Sequence, residues 1–91
     1  MKVCELLDDE KKWMKHDFAA DKKGHSVQPE SKRACRWCLA GAIFMCYPYS
    51  ANEIVARVIK RIGHGSSISS WNDDSWRRFS DVRELIDELD I

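Results

Sequence analysis

The 91-residue chain has no long apolar run. Its longest, from Cys38 to Tyr49, covers about twelve residues and contains Gly41 and Pro48, whereas a membrane-spanning helix needs about twenty apolar residues. Only two prolines and four glycines are present, which excludes collagen-like and low-complexity sequence. The formal net charge is zero, so the chain lacks the overall basic balance of a typical nucleic-acid-binding domain. We therefore expect a folded domain with no membrane span.

The chain also lacks an early apolar segment of the kind that forms a signal peptide. Its first residues, MKVCELLDDEKKW, become acidic after Leu7, before a hydrophobic core could form. This predicts a cytoplasmic protein, whose four cysteines would stay free in a reducing compartment. What the chain does have, 44% hydrophobic and 33% charged residues, is the composition of one small folded domain over residues 1–91.

Apolar residues at helical spacing predict an all-α or α-rich domain with at most a minor β component. We expect a small bundle of about four helices. Lys23 and Gly24 can form the turn of a short β-hairpin around residues 17–28. The predicted helices span about residues 2–14, 29–46 and 51–62, followed by a loop over 64–76 and a last helix that begins at Ser80 or Asp81.

The helix boundaries rest on local signals. Pro29 suits the first turn of the second helix, because its missing N–H would be unbonded there in any case. Ser50 and Glu53 have the spacing of a capping box, and Gly63 suits a left-handed helix end. Small residues in the second helix would let a neighbouring element approach closely; they lie at positions 34, 38, 41 and 42.

Three of the four cysteines lie in the stretch ACRWCLAGAIFMC, which raises the question of a metal or thiol site. Cys35 and Cys38 have the spacing of zinc ligands, but they fall in a predicted helix and no second ligand pair follows. We therefore predict no metal and no cofactor. Cys38, His64 and Asp73 have the residue types of a nucleophile, its base and an orienting group. Because Cys38 lies two turns into the predicted helix, where the helix dipole helps little, we assign no catalytic residue.

Asn72 and Asp73 follow Trp71 in a stretch rich in Ser and Asp. Such side chains commonly bond their own backbone in turns, and a tryptophan can anchor a loop in the core. The pattern favours a structural role, with a binding role as the alternative. Tryptophan and arginine are also enriched in protein interfaces, and the segment SWRRF contains both. The candidate binding residues are Trp71, Asn72, Asp73, Trp76, Arg77, Arg78, Arg33 and Arg36.

Charge is unevenly distributed along the chain. Residues 31–63 contain six basic side chains and one acidic one, whereas residues 64–91 contain three basic and seven acidic ones. We favour the interpretation that the two segments face each other or keep the surface soluble. The alternative is a nucleic-acid-binding face that contacts phosphates, formed by Lys32, Arg33, Arg36, Arg57, Lys60 and Arg61.

Four motifs in a fixed order, Trp13, Asp21 to Gly24, Cys38 to Ala42 and Trp71 to Asp73, are similar to those of a family of small bacterial and phage domains of unknown function. The resemblance covers about residues 10–90. It implies a shared fold but no activity. It also implies that a small set of residues acts together, either as a site or as a packing unit: Cys38, Gly41, Trp71, Asn72 and Asp73.

We predict a non-enzymatic cytoplasmic protein-interaction domain, an accessory or inhibitory factor of a phage or prophage, that acts through an exposed basic and aromatic surface. A protein partner is expected, and a homodimer is compatible with the sequence. The first alternative is a small enzyme or small-molecule binder that uses Cys38 with Asn72 and Asp73. The second is nucleic-acid contact through the basic surface of residues 32–61. We expect Cys38 to meet Trp71–Asp73 within solid core.

Overall fold

Helix α2, Leu39–Cys46, lies at the centre of the fold because it is apolar on nearly every side. In the computed structural model, which describes residues 1–91, its first five residues are all buried. A helix without a polar face is stable only when neighbours surround it. Here the surrounding helices are α1 (Val3–Leu6), α3 (Ala51–Ile62) and α4 (Ile68–Asp73).

Two amphipathic helices cover the outside of this core. Helix α3 spans the predicted residues and buries Ile54 and Val58. Helix α5, Phe79–Leu89, contacts α1. The fold contains five α-helices and one small sheet, which confirms the prediction of an α-rich domain with a minor β component.

The small sheet pairs β1, Ala19–Ala20, with β2, Arg36–Trp37, in antiparallel orientation. The predicted short hairpin over 17–28 forms around a turn at Gly24: Ala20 and Ser26 make an antiparallel bridge, and the N–H groups of Asp21 and Val27 donate to the carbonyls of His25 and Ala19 at 3.0 and 3.1 Å. The second partner of β1, which is β2, was not predicted, because it comes from the stretch that sequence periodicity assigned to a helix.

The predicted second helix over 29–46 is wrong in its first half. Residues before Leu39 form turns and β2, because tertiary hydrogen bonds hold them extended. The backbone N–H of Cys35 donates to the Ala20 carbonyl at 2.9 Å and that of Cys38 to the Phe18 carbonyl at 3.2 Å. Pro29 starts no helix; its carbonyl accepts the indole N–H of Trp37 at 2.9 Å.

The predicted first helix over 2–14 is also interrupted. It ends after Leu6, and a single 3-10 turn, Glu10–Lys12, follows. The Asp9 carboxylate accepts the Lys11 N–H at 2.8 Å and so begins a new turn instead of continuing the old one. The guanidinium of Arg83 donates to the carbonyls of Cys4 and Leu7, which satisfies the end of α1 from α5.

Three predictions about where helices begin differ from the structure. Ser50 makes no side-chain cap on α3, so the predicted capping box does not form. The predicted loop over 64–76 contains α4, whose first turn is capped by the Ser67 hydroxyl, which accepts the Ser70 N–H at 3.0 Å. Helix α5 begins at Phe79, before Ser80, and the Asp81 carboxylate accepts the Arg78 N–H at 2.9 Å. No helix is long and apolar enough to cross a membrane.

Candidate functional site

Asn72 is the only fully buried polar side chain of the core, and it joins three segments of the chain. Its Oδ1 accepts the Trp13 indole N–H at 2.7 Å and the Leu39 backbone N–H at 3.0 Å. Its Nδ2 donates to the Met14 carbonyl at 3.1 Å. Oδ1 therefore faces two donors and Nδ2 faces acceptors, so the amide orientation is set by its partners. Asn72 thereby caps α2 and holds the segment before β1 against α4.

Asp73 extends this network toward the surface. One of its carboxylate oxygens accepts the Asn72 amide at 2.9 Å and the backbone N–H of His16 at 2.9 Å. His16 has a φ of 74°, a left-handed conformation that is uncommon for any residue but glycine. The hydrogen bond that the His16 N–H donates to Asp73 holds this backbone conformation. The Nδ1 of the His16 ring lies 4.0 Å from the other carboxylate oxygen.

Cys38 lies at the N-cap of α2 and not two turns inside a helix, which corrects the prediction. Its Sγ accepts the Gly41 N–H at 3.3 Å, the role that a serine hydroxyl plays at other helix starts. Burial raises the pKa of the Cys38 thiol despite this N–H contact, and the charge of Asp73 raises it further. The thiol is therefore protonated at neutral pH. Cys38 is also only 3% exposed to solvent.

Gly41 allows the closest contact in the core. A Cβ placed on Gly41 would lie 1.9 Å from the carbonyl oxygen of Phe18. Only glycine lets the backbone before β1 reach this turn of α2, where the Phe18 carbonyl accepts the Cys38 N–H. The neighbouring element that approaches Gly41 closely is thus the extended segment before β1.

A small cleft of about 190 Å³ borders this network and is lined by Cys38, Asp73 and His16, among others. His64, the histidine considered from the sequence, is exposed in the loop between α3 and α4 and does not line this cleft. Sequence reasoning missed His16, because only the fold brings it beside Asp73. The cleft is therefore lined on one side by a protonated thiol and on another by a largely exposed histidine.

The loop between α4 and α5 presents the most exposed tryptophan of the chain. Trp76 is 87% exposed. Its backbone N–H donates to the Asp74 carboxylate at 3.0 Å, and the Arg77 N–H donates to the Asp74 carbonyl at 2.9 Å. The Arg77 guanidinium stacks 3.9 Å from the centre of the Trp71 ring and donates to the Trp71 carbonyl. These bonds hold the loop in one shape while the Trp76 indole stays in solvent.

A groove of about 910 Å³, here called the α5 groove, is lined by Arg77, the residue that follows Trp76 in the chain. The rings of Trp13 and Phe79 also line this groove, and their centroids are 6.1 Å apart. Its rims carry both signs of charge, contributed by Asp8, Asp9, Glu10, Lys15, Arg77, Arg78, Arg83 and Glu84. Of the candidate binding residues, Arg77 and Arg78 line this groove.

The remaining basic candidates lie in different places: Lys32 and Arg33 line one cleft, whereas Arg57 and Arg61 contact α5. Arg57 donates to the Leu89 carbonyl and Arg61 pairs with Glu88, so these two arginines of α3 face α5. Arg36 lies on β2 opposite Ala20. Arg33 lines a separate cleft that shares no residue with the α5 groove.

The four cysteines are all free thiols. No group of three or more His, Cys, Asp or Glu side chains is placed to hold a metal ion. Cys35 and Cys38, the pair with zinc spacing, line two different clefts.

These features define the chain as a small α-rich domain in which Asn72 of the Trp-Asn-Asp stretch bonds the backbone of Leu39 in the Cys-Leu-Ala-Gly-Ala stretch. The chain belongs to a family of unknown function: the family model described as "Family of unknown function (DUF6197)" matches residues 2–89. No curated protein and no solved structure gives a significant match.

Proposed function

We propose that this domain is a protein-binding module, without catalytic activity of its own, that recognises its partner through Trp76. The observation that carries the proposal is an 87% exposed tryptophan on a loop that hydrogen bonds hold in place. Leaving a large aromatic side chain in water is unfavourable, and a rigid loop loses little conformational entropy when it binds.

The partner has an apolar pocket for the indole and a carboxylate beside it. Arg78, two residues after Trp76, is exposed, and its side chain makes no hydrogen bond or ion pair within the domain. It is therefore free to pair with a partner's acidic group. The adjoining α5 groove supplies mixed charge of the kind found at the polar rim of interfaces.

The experiment compares capture of partner proteins from native host cells by the wild type and by Trp76→Ala. Tyr49→Ala is the matched control, because Tyr49 is also fully exposed and lines neither the α5 groove nor the cleft at Cys38. We expect one protein to be retained by wild type and Tyr49→Ala, and its affinity for Trp76→Ala to fall about 30-fold or more, as for a hot-spot tryptophan. Arg78→Glu should weaken the same complex.

The melting temperature of each variant separates binding from folding. Trp76 is almost fully in solvent, so Trp76→Ala should unfold within a few degrees of the wild type. Equal capture by Trp76→Ala and Tyr49→Ala would contradict the proposal. A cytoplasmic location, and an accessory or inhibitory role in a phage or prophage, stay part of the proposal, and the motif resemblance supports the second of these.

A further inference from the structure

A third concave surface of the domain is strongly basic. It shares no lining residue with the α5 groove or with the cleft at Cys38. This cleft has a volume of about 590 Å³ and is bordered by four cationic side chains, Lys22, Lys23, Lys32 and Arg33. Asp21 is its one acidic residue. The cleft is therefore positive although the whole chain has a net charge of zero.

The fold brings these cations together from two turns that leave the same end of the sheet. Ala20 pairs with Arg36, and the Cys35 N–H bonds the Ala20 carbonyl at 2.9 Å. Residues 21–34 must therefore loop out and return beside their starting point. Lys22 and Lys23 lie on the first turn, and Lys32 and Arg33 lie on the second.

Each turn is fixed by its own hydrogen bonds. In the first, the Asp21 carboxylate accepts the backbone N–H groups of Lys23 and His25, both at 2.9 Å. These two contacts lower the pKa of Asp21, so it stays ionised but is directed at the backbone. In the second, the Ser31 carbonyl and hydroxyl accept the N–H groups of Ala34 and Arg33, both at 3.1 Å.

None of the four cations forms an ion pair or a side-chain hydrogen bond, whereas Lys2, Lys12, Arg61 and Arg83 all pair with carboxylates. Like charges gathered around a concave surface repel one another and concentrate the positive potential within it. An anion that enters the cleft removes this repulsion and gains hydrogen bonds from groups that have no other partner.

We propose that this cleft binds a small ligand that carries two or more linked phosphate groups. Four cations match a di- or triphosphate better than a single carboxylate. The volume falls in the range of small-molecule sites, about 300–1,000 Å³. No Phe, Tyr or Trp lines the cleft, and its one aromatic ring, the imidazole of His25, lies with Nδ1 3.6 Å from the Asp21 carboxylate, so recognition works mainly through charge and not through base stacking. An extended nucleic-acid strand would need a longer basic track, but Arg36 does not line the cleft and Arg57 and Arg61 are bonded to α5.

The test uses inorganic triphosphate as the probe and titration calorimetry with the full chain as the measurement. We expect binding to the wild type and at least tenfold weaker binding to Lys23→Ala/Lys32→Ala, which removes one cation from each turn. The control, Lys11→Ala/Lys60→Ala, removes two exposed lysines outside the cleft and should bind like the wild type. Inorganic monophosphate should bind at least tenfold more weakly than triphosphate.

Two further measurements locate the ligand. Cys35 lines the cleft and Cys4 does not, so triphosphate should slow alkylation of Cys35 by neutral iodoacetamide and leave Cys4 unchanged. Without ligand, Lys23→Ala/Lys32→Ala should melt at or above the wild-type temperature, because the substitution relieves repulsion. Equal losses in the two double variants, or no binding at millimolar triphosphate, would overturn the proposal. Tighter binding of a twelve-nucleotide single strand than of triphosphate would also overturn it.

Discussion

At the scale of single residues, Asn72 is the clearest case of a polar group that the fold requires. It is completely enclosed, and its amide makes bonds to Trp13, Met14 and Leu39. No buried side-chain nitrogen or oxygen lacks a partner in this protein. Removing one member of such a network leaves the others unsatisfied, which costs more than the bond itself contributes.

Asn72→Asp should therefore destabilise the domain although it preserves shape. The new carboxylate can still accept from Trp13 and Leu39, but it faces the Met14 carbonyl and the Asp73 carboxylate with no proton to donate. We expect the free energy of unfolding to fall by about 3 kcal/mol. Chemical denaturation measures this change. Asn52→Asp, on the exposed side of α3, should change it by less than about 0.5 kcal/mol, and similar losses at both positions would refute the assigned role.

The thiols of Cys38, which is buried, and of Cys46, which is half-buried, should react slowly in the native state. Burial raises the pKa of Cys46 to about 11, so roughly one thiol in a thousand is ionised there at pH 8. Cys38 is enclosed and its pKa is also raised by burial. Alkylation followed by mass spectrometry at pH 8 should modify the partly exposed Cys4 and Cys35 before Cys46 and leave Cys38 protected until the protein unfolds. Rapid labelling of native Cys38 would instead favour the enzyme alternative.

The sequence indicated which residues belong together but not how. The resemblance grouped Cys38 and Gly41 with the Trp-Asn-Asp segment. The fold bonds Asn72 to the backbone of Leu39, directly after Cys38, and places Asp73 and Cys38 on one cleft, whereas Trp71 contacts Arg77. The sequence could not show that the Asn72 amide caps α2, because that bond joins residues 33 positions apart. Nor could it show the positive φ of His16, which depends on Asp73.

At the scale of elements, α2 shows where the spacing of apolar residues predicts a helix correctly and where it does not. Apolar residues continue at helical spacing from Ala34 to Met45, yet the helix starts only at Leu39. The extended residues before it satisfy their N–H groups by bonding the segment around β1. Long-range bonds of this kind override local helix preference. Helix α3, whose one apolar stripe faces the core, was predicted with its correct limits because no such competing partner exists for it.

Gly41→Ala should disrupt the contact between α2 and the β1 segment. The added methyl would overlap the Phe18 carbonyl, which is backbone and cannot rotate away. We expect a loss of about 3 kcal/mol in the free energy of unfolding. Gly65→Ala is the control, because a Cβ there meets no atom within 4 Å. Calorimetric melting should separate the two variants clearly; equal melting temperatures would contradict the close contact.

At the scale of the whole molecule, the two ends of the chain are joined. The Cys4 N–H donates to the Ile91 carbonyl at 3.2 Å, and the Lys2 ammonium pairs with Asp90 at 2.6 Å. Ile91 is fully buried among the core residues. The five short helices thus close on themselves, and α1, which is too short to be stable alone, is held by α5.

The ion pair between Lys2 and Asp90 should make the free energy of unfolding sensitive to acid. The hydrogen bond and the charge of Lys2 lower the pKa of Asp90 in the folded state. A carboxylate with a lowered folded pKa stabilises the protein above its unfolded pKa, near 4, and this stabilisation is lost as pH falls through the folded value. Asp90→Asn, which tolerates the left-handed backbone at this position, should reduce stability at pH 6 and narrow the difference from wild type at pH 2. Urea titrations at both pH values test this, with exposed Glu84→Gln as the control; a constant difference would contradict it.

The whole molecule therefore combines a closed, fully hydrogen-bonded core with one tryptophan left outside it. The most direct test of the proposed function places a photo-crosslinking phenylalanine analogue at exposed Ser75, beside an intact Trp76, in native host cells, with the same replacement at Tyr49 as the control. We predict one discrete crosslinked protein at position 75, which is lost when Trp76→Ala is added, and none at position 49. Absence of any adduct at position 75, or the same adducts at both positions, would contradict recognition through Trp76.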